Sequence, residues 1–402
     1  MQTTQSDNSN HAWEIFLVFL RLGCTSFGGP IAHIGYFREE FVTRRGWLGE
    51  RSFADLVALA QFLPGPSSSQ VGLAIGLSRG GIMGAIGAWV GFTLPSAVAM
   101  VLFALSITAW GNGLPAGALH ALKIVAVAVV AQAVWGMART LCRGLARMAI
   151  MVIAACVLLL WVNPWAQVLV MAFSAIAGML FFKPLAQTSH DPLPIRIGRR
   201  AGIVMLGLFF SLLIFLPMIV QASDNHPLMV FSAFFQAGSL VFGGGHVILP
   251  LLQAAVVPTG WVSNELFLAG YGAAQALPGP LFTFAAFLGT VMSSSPNGVL
   301  GAGLCLLAVF IPSFLLVLGV LPFWESIRAN ARAQAALIGV NAGVVGLLLA
   351  ALYDPVWTSA IFTPFDFLFA LIAFVSLQIL RVPSWLVVLV GGVLGGMSAL
   401  IA

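Results

Sequence analysis

The sequence predicts an all-α integral membrane protein, built from two inverted-topology repeats with broken helices or re-entrant hairpins. Of its 402 residues, 60% are hydrophobic and only 7% are charged, well below the roughly 25% charged residues of soluble proteins. Apolar runs of about 20 residues, the length of a membrane-spanning helix, recur along the chain. The segment Gln61-Phe62-Leu63-Pro64-Gly65-Pro66 returns as Gln275-Ala276-Leu277-Pro278-Gly279-Pro280. Together these observations favour a duplicated membrane protein.

The first half contains two predicted helix breaks. Residues 1–11 are polar and have no basic segment of a cleavable signal peptide, so we expect an N-terminal tail. Residues 12–183 predict a first transmembrane repeat. Its first apolar run is interrupted at Phe27-Gly28-Gly29-Pro30, and its second at Leu63-Pro64-Gly65-Pro66. Proline lacks an N–H and glycine adopts dihedrals that other residues avoid, so a helix should stop and restart at both motifs.

The remainder of the first half predicts unbroken helices. Apolar runs extend over 82–110, 116–137 and 148–182. The last is too long for one span, and the turn signal Asn163-Pro164 divides it into two helices. Residues 184–227 then predict a basic linker followed by a single connecting helix.

Residues 228–402 repeat the pattern of the first half. Four ordered matches share a spacing near 215: Gly238 to Gly244 with Gly23 to Gly29, Trp261 with Trp47, Pro312-Ser313 with Pro95-Ser96, and residues 336–345 with 121–130. Such a constant spacing indicates an internal duplication.

The distribution of basic residues predicts how the halves are oriented. With the N-terminus in the cytoplasm, fifteen of the seventeen Lys and Arg residues lie inside, as the positive-inside rule requires. An odd number of crossings then separates the repeats, so the second is inverted relative to the first. Inverted repeats with discontinuous helices are typical of secondary transporters, which bind substrate near the bilayer midplane.

Two basic residues, Arg21 and Lys123, are predicted to lie within the membrane. Each costs about 2.5 to 3.5 kcal/mol at bilayer depth, so each should face the protein interior, a cavity or a partner. Pairing of Arg21 with Glu14 is the structural alternative. We interpret both cations as attractors for an anion. Their repeat equivalents, Gln236 and Ile338, are uncharged.

Four half-helices begin after Gly-rich breaks and should point unpaired N–H groups and partial positive charge at the substrate. Hydroxyl and amide donors flank these starts, although serine is also a common packing residue in membrane helices. The predicted substrate-binding residues are Arg21, Thr25, Ser26, Gly28, Gly29, His33, Gln61, Pro64, Gly65, Ser67, Ser68, Lys123, Gly243, Gly244, His246, Gln275, Pro278, Gly279 and Thr283. The candidates for proton coupling are Glu14, His33, Asp55, His246 and Glu265.

Other classes of function lack support in the sequence. The four cysteines are scattered without a Cys-x-x-Cys pair, so we expect no metal and no cofactor. A nucleotide-binding loop of the Gly-x-x-x-x-Gly-Lys-Ser/Thr type does not occur, so ATP should not drive the chain directly. We therefore expect neither an enzyme nor a nucleic-acid partner. Whether the protein forms a homodimer is left open.

The doubled motifs resemble those of the chromate ion transporter family. The resemblance rests on Phe27-Gly28-Gly29-Pro30 with His33, on Gln61 with Leu63-Pro64-Gly65-Pro66, and on their second-half echoes. It extends over about residues 13–401 and matches the long-chain, two-domain form. It implies a multi-pass protein of the bacterial inner membrane that exports chromate, is driven by the proton-motive force and confers chromate resistance. Sulfate or another tetrahedral oxyanion remains the alternative substrate.

Overall fold

The computed structural model describes residues 3–110, 116–161, 166–183, 197–223, 225–242 and 245–401. Every regular element in these ranges is helical, which confirms the predicted all-α class. Five described helices are long and apolar enough to cross a membrane. The protein is therefore a multi-pass membrane protein.

The described part of the first half contains seven α-helices. They are α1 (Thr3–Thr25), α2 (Gly29–Arg38), α3 (Glu50–Phe62), α4 (Ser67–Trp110), α5 (Ala116–Leu141), α6 (Leu145–Leu160) and α7 (Ala166–Phe181). Because α1 begins at Thr3, most of the polar segment predicted as a tail is helical. The predicted linker at 184–196 lies outside the described residues, and the connecting helix α8 (Arg199–Gln221) follows it.

The second half begins with α9 (His226–Leu240). A short turn, Gly245–Val247, leads into α10 (Ile248–Val256), and α11 (Asn264–Ala274) follows. The remaining helices are α12 (Phe284–Val291), α13 (Gly298–Val320), α14 (Trp324–Arg328), α15 (Ala331–Ala351), α16 (Pro364–Gln378) and α17 (Ser384–Ile401).

A tight hairpin recurs at the same place in both halves. Helix α4 is divided at Gly80-Gly81, where Gly81 has φ 60° and ψ −151°. The two arms of α4 fold back on each other closely. A Cβ atom added at Gly76, which has none, would lie only 2.3 Å from the Gly84 carbonyl oxygen, so the position requires glycine. The corresponding contact between α12 and α13 would place a Cβ of Gly289 2.2 Å from the Gly301 oxygen. The hairpin is thus a shared feature of the repeats.

The two halves exchange their last helices. Helix α5 packs against α16 and α17 of the second half, whereas α15 packs against α6 and α7 of the first. Small residues allow these close approaches, which are common between membrane helices. A Cβ at Gly178 of α7, for example, would lie 2.3 Å from the Ala335 oxygen of α15. The repeats are therefore interlocked through their helices.

An ion-pair network fixes the charged loop after α2. Glu40 is buried and accepts hydrogen bonds from Arg45 Nε at 2.7 Å and from Arg44 Nη1 at 3.0 Å. Arg45 also bonds Glu14 Oε1 at 3.0 Å, so Glu14 pairs with Arg45 in the loop. Partial burial raises the pKa of Glu40, but the arginine hydrogen bonds outweigh it and hold that pKa below its ordinary value of 4.5.

We expect the substitution Glu40→Gln to lower the free energy of unfolding by about 1–2 kcal/mol, because charge-assisted hydrogen bonds are lost. Since the folded-state pKa of Glu40 is depressed, this stabilisation is present above pH 4.5 and is lost as the pH falls further. Thermal unfolding of the detergent-solubilised protein at neutral and acidic pH tests this. Exposed Glu39→Gln is the matched control, and an equal loss in both variants would contradict the prediction.

Candidate functional site

Four interruptions of the helices coincide with the Gly-Pro motifs. In the first half, α1 ends at Thr25 before α2 begins at Gly29, and α3 ends at Phe62 before α4 begins at Ser67. In the second half, α9 ends at Leu240 and α11 ends at Ala274, each followed by a break and a short turn. Gly28, Gly65 and Gly279 have φ of 99°, 122° and 92°, a region that favours glycine.

Two crossed backbone hydrogen bonds bring the breaks together. The Gly65 N–H donates to the Val241 oxygen at 2.6 Å, and the Gly279 N–H donates to the Ser26 oxygen at 2.9 Å. Ser26 and Val241 are equivalent positions of the two repeats, as are Gly65 and Gly279. The residue that precedes the Phe-Gly-Gly motif of each half is therefore bonded to the Leu-Pro-Gly-Pro segment of the other. Such bonds supply the partners that broken backbone needs inside a membrane.

Two serines of the opposite half pack against these glycines. A Cβ at Gly65 would lie 2.5 Å from Ser313 Oγ of α13, and a Cβ at Gly279 would lie 2.9 Å from Ser96 Oγ of α4. The sequence identified both serines only as a repeat match of the Pro-Ser pairs. Their symmetric placement makes them part of the site that sequence reasoning missed.

A hydrogen-bonded histidine connects the first-half segments. His33 is buried, with Nε2 3.1 Å from the Ser26 oxygen and Nδ1 3.2 Å from Ser68 Oγ. A carbonyl oxygen only accepts, so the neutral ring carries its proton on Nε2, and Nδ1 accepts from the Ser68 hydroxyl. The Ser26 oxygen thus receives bonds from both His33 and Gly279, which joins the histidine to the second half.

Several buried polar atoms near the first-half breaks have no protein partner among the residues that the structure describes. They are Ser26 Oγ, Ser69 Oγ, Gln70 Oε1 and Thr93 Oγ1. Buried polar groups are ordinarily hydrogen-bonded, so these atoms are available to a ligand or to water. Three of the four repeat equivalents, Val241, Phe284 and Phe310, are apolar. At these four positions the first half is therefore more polar than the second.

Gln70 fixes one break from within the half-helix that follows it. Its Nε2 donates to the Pro64 oxygen at 2.6 Å and lies 3.5 Å from Ser313 Oγ. The side chain is 1% exposed. Gln70 directly follows Ser67, Ser68 and Ser69, and this polar run at the start of the half-helix was the signal that could have identified it.

Comparison with known proteins agrees with this geometry. A family model described as "Chromate transporter" matches residues 13–179 and residues 228–396, one match for each repeat. The chain belongs to the chromate transporter family. The two matches confirm the predicted duplication and the predicted family.

Relatives of this family member include full-length and half-length proteins. A chromate transport protein of Pseudomonas aeruginosa is 28% identical over 346 residues, covering 85% of this chain and 80% of the relative. An uncharacterized transporter of Methanocaldococcus jannaschii is 29% identical over 351 residues, covering 85% and 84%. An uncharacterized transporter of Bacillus subtilis is 31% identical over 178 residues, covering 41% of this chain but 85% of the relative. No solved structure matches the chain.

In this chromate transporter family member, some predicted binding residues lie at the crossed breaks and others do not. Ser26, His33, Gly65, Ser68 and Gly279 are brought together there by the bonds and contacts described above. Pro64 accepts from Gln70, and Thr283 Oγ1 donates to the Pro280 oxygen at 2.9 Å. Predicted residues that are exposed or half-buried near the breaks are Arg21, Thr25, Gly28, Gly29, Gln61, Ser67, Gln275 and Pro278. Gly243 and Gly244 lie outside the described residues.

The second-half candidates make their own contacts. The Gln275 oxygen accepts from the Ser384 hydroxyl at 3.0 Å, while Gln275 Nε2 is buried without a partner among the described residues. His246 Nδ1 lies 2.9 Å from the Tyr271 hydroxyl. Since His246 aligns with Ile31, the two histidines of the breaks are not repeat equivalents.

Two of the carboxylates predicted for proton coupling form ion pairs. Asp55 is buried and accepts from Arg328 Nη1 at 2.8 Å, which joins α3 to the second half. Glu14 pairs with Arg45 as described above. Glu265 is exposed in the first turn of α11. His33 is therefore the coupling candidate with direct bonds to the crossed breaks.

Lys123 lies in α5, seven residues after the start of that helix. The side chain is half-buried, and no carboxylate in the described part of the chain pairs with it. The residue before it, Leu122, packs on α11. A Cβ atom added at Gly272 of α11 would lie only 2.6 Å from the Leu122 carbonyl oxygen. That contact is one turn from Gln275, so Lys123 lies on the helix that flanks the second-half break.

Proposed function

We propose that this chain exports chromate from the cytoplasm across the bacterial inner membrane, is driven by the proton-motive force, and thereby confers chromate resistance. The proposal rests on one observation above others: the crossed bonds of Gly65 to Val241 and of Gly279 to Ser26. They gather four helix breaks at one place. Relatives named chromate transport proteins supply the substrate class.

The donor set suits a tetrahedral dianion. Unpartnered hydroxyls of Ser26, Ser69 and Thr93 are buried near the first-half breaks, and oxyanions are bound by converging hydrogen-bond donors. The interior-negative membrane potential favours expulsion of a dianion, by about 2.3 kcal/mol per charge for each 100 mV. Sulfate has the same shape and charge and is the alternative substrate.

His33 gives a route for proton coupling. In the neutral ring, Nδ1 holds the Ser68 hydroxyl hydrogen, so that hydroxyl is not free to bind an anion. A proton on Nδ1 turns this nitrogen into a donor to Ser68 Oγ, and the Ser68 hydrogen is released toward the site. Protonation and anion binding then favour each other, so a proton on His33 would leave the cell together with the anion. The pair still carries one net negative charge outward, so the membrane-potential component of the proton-motive force would drive export. The repeats, in opposite orientations, would alternate in opening the site.

Everted membrane vesicles, whose medium faces the cytoplasmic surface, test the proposal. We expect uptake of labelled chromate that collapses when an uncoupler is added. Vesicles that accumulate sulfate but not chromate would support the alternative substrate and overturn chromate export. Uptake of chromate that survives the uncoupler would remove the proton from the mechanism.

We expect Ser26→Ala to raise the KM for chromate roughly fivefold to tenfold, because one hydroxyl donor to a charged ligand is lost. The residue is fully buried and its Oγ has no partner in the described structure, so little packing changes. Initial rates of chromate uptake into everted vesicles measure the effect. Ser106→Ala is the control, because Ser106 Oγ bonds only its own helix at the Phe103 oxygen. An unchanged KM would remove the Ser26 hydroxyl from the site.

A further inference from the structure

A cavity of about 630 Å³ lies in the second half, apart from the crossed breaks. It is bounded by α9, α10, the facing ends of α6 and α7, and the end of α15. Most of its lining is apolar. Its polar side chains are Gln167, Gln236, Gln253 and Asp354, and its described lining contains no Lys or Arg.

The repeat relation gives this cavity a counterpart in the first half. Subtracting 215 from Gln236, Gln253 and Asp354 leads to three arginines, which are Arg21, Arg38 and Arg139. All three are exposed. Arg38 is paired with Glu50, so Arg21 and Arg139 contribute most to the positive field. Equivalent positions of the two repeats therefore differ by one or two units of charge.

The two surfaces are predicted to lie on opposite sides of the membrane. With the N-terminus inside, Arg38 and Arg139 are cytoplasmic, whereas Asp354 is external. The positive-inside rule explains Arg38 and Arg139. It does not explain Arg21, which lies deep in α1, four residues before that helix ends. The presence of arginine at position 21 and of glutamine at the equivalent position 236 therefore needs a second cause.

We propose that the cavity is the exit vestibule for the transported dianion. This inference rests on the proposed export function. It attributes the direction of anion transport to the difference in charge between equivalent surfaces of the two repeats. Arginines collect the anion on the cytoplasmic side, because opposite charges raise its local concentration. Amides and one carboxylate, Asp354, line the exit, so the anion is held weakly there and does not return. The polarity of Gln236 and Gln253 keeps the path hydrated.

The substitution Gln236→Arg, which restores the arginine of the other repeat, tests the proposal. In everted vesicles the lumen faces the exit, so chromate trapped in the lumen inhibits uptake by rebinding from that side. The measured quantity is the ratio of the luminal inhibition constant to the medium-side KM. We expect this ratio to fall about tenfold in Gln236→Arg and in Asp354→Arg. Gln236→Met and Thr259→Arg, an exposed site outside the cavity lining, should change it less than threefold.

The outcomes separate this inference from the proposed function. Wild-type vesicles that do not accumulate chromate would contradict export itself. Wild-type vesicles that do accumulate it, combined with an unchanged ratio in Gln236→Arg, would overturn the exit vestibule alone. An equal fall of the ratio in Gln236→Met would also overturn it, because charge would then not be the cause. If Gln236→Arg does not reach the membrane, the exposed position 354 decides the question through Asp354→Arg.

Discussion

Replacement of Gly65 by alanine is expected to reduce chromate uptake into everted vesicles at least tenfold. Gly65 has φ of 122°, a conformation that costs an alanine about 1–3 kcal/mol. Its new Cβ would also lie 2.5 Å from Ser313 Oγ and 2.6 Å from Gln70 Nε2. The Ser313 and Gln70 side chains can rotate away, but Gln70 then loses its 2.6 Å bond to the Pro64 oxygen. Relaxation of the strained φ would also lengthen the 2.6 Å bond from Gly65 to Val241.

The effect should be on transport more than on abundance. The strain is local to one break, whereas the hydrophobic packing of α3 and α4 is retained. Uptake normalised to the amount of protein in the membrane measures this. Gly207→Ala in the connecting helix α8 is the matched control, because its Cβ would meet nothing within 4 Å. Gly279→Ala, at the equivalent position, should share the defect, and normal transport in both variants would contradict the crossed-bond site.

The sequence predicted the breaks well because they are local. Proline and glycine restrict the backbone wherever they occur, so Pro64 and Gly65 can be interpreted without knowledge of the fold. The duplication could also be found, because it is a regularity of spacing. Membrane insertion follows from composition alone.

The pairing between the halves could not be predicted in this way. Gly65 bonds Val241 of the second half and not the Phe-Gly-Gly segment of its own half. The two bonded residues are 176 positions apart, so local sequence cannot predict the pairing. The exchange of α5 and α15 between the bundles is equally long-range. Gln70 and Thr93 were missed because neither belongs to a Gly-Pro motif and their surroundings depend on how α4 packs. Glu14 pairs with the loop residue Arg45, which folding brings to the middle of α1, and not with Arg21 as the structural alternative supposed.

The asymmetry of the site also depends on the structure. Matching the repeats shows which residues the two halves share. The buried polar atoms without partners show where equivalent positions of the halves differ in polarity. Ser26 and Thr93, whose hydroxyls have no partner in the described structure, correspond to Val241 and Phe310. The first half therefore supplies most of the free hydroxyl donors, whereas the second supplies Gln275 Nε2 and backbone groups. This favours a single anion site over two equivalent ones.

Replacement of Lys123 by alanine is expected to raise the KM for chromate roughly thirtyfold. At roughly 8 Å and an effective dielectric constant of about 40, between that of a protein surface and that of water, one cation stabilises a dianion by about 2 kcal/mol. The half-buried side chain has no carboxylate partner in the described residues, so its charge is available to the substrate.

Charge and packing can be separated with a conservative variant. Lys123→Arg keeps the cation and should restore most of the affinity, whereas Lys123→Met keeps the volume and should behave like alanine. Exposed Lys183→Ala removes a cation beyond the end of α7 and should leave the KM unchanged. If methionine rescued transport and arginine did not, Lys123 would act by packing between α5 and α11. The anion would then depend on hydroxyls and helix ends alone, which would also weaken the salt dependence expected of its binding.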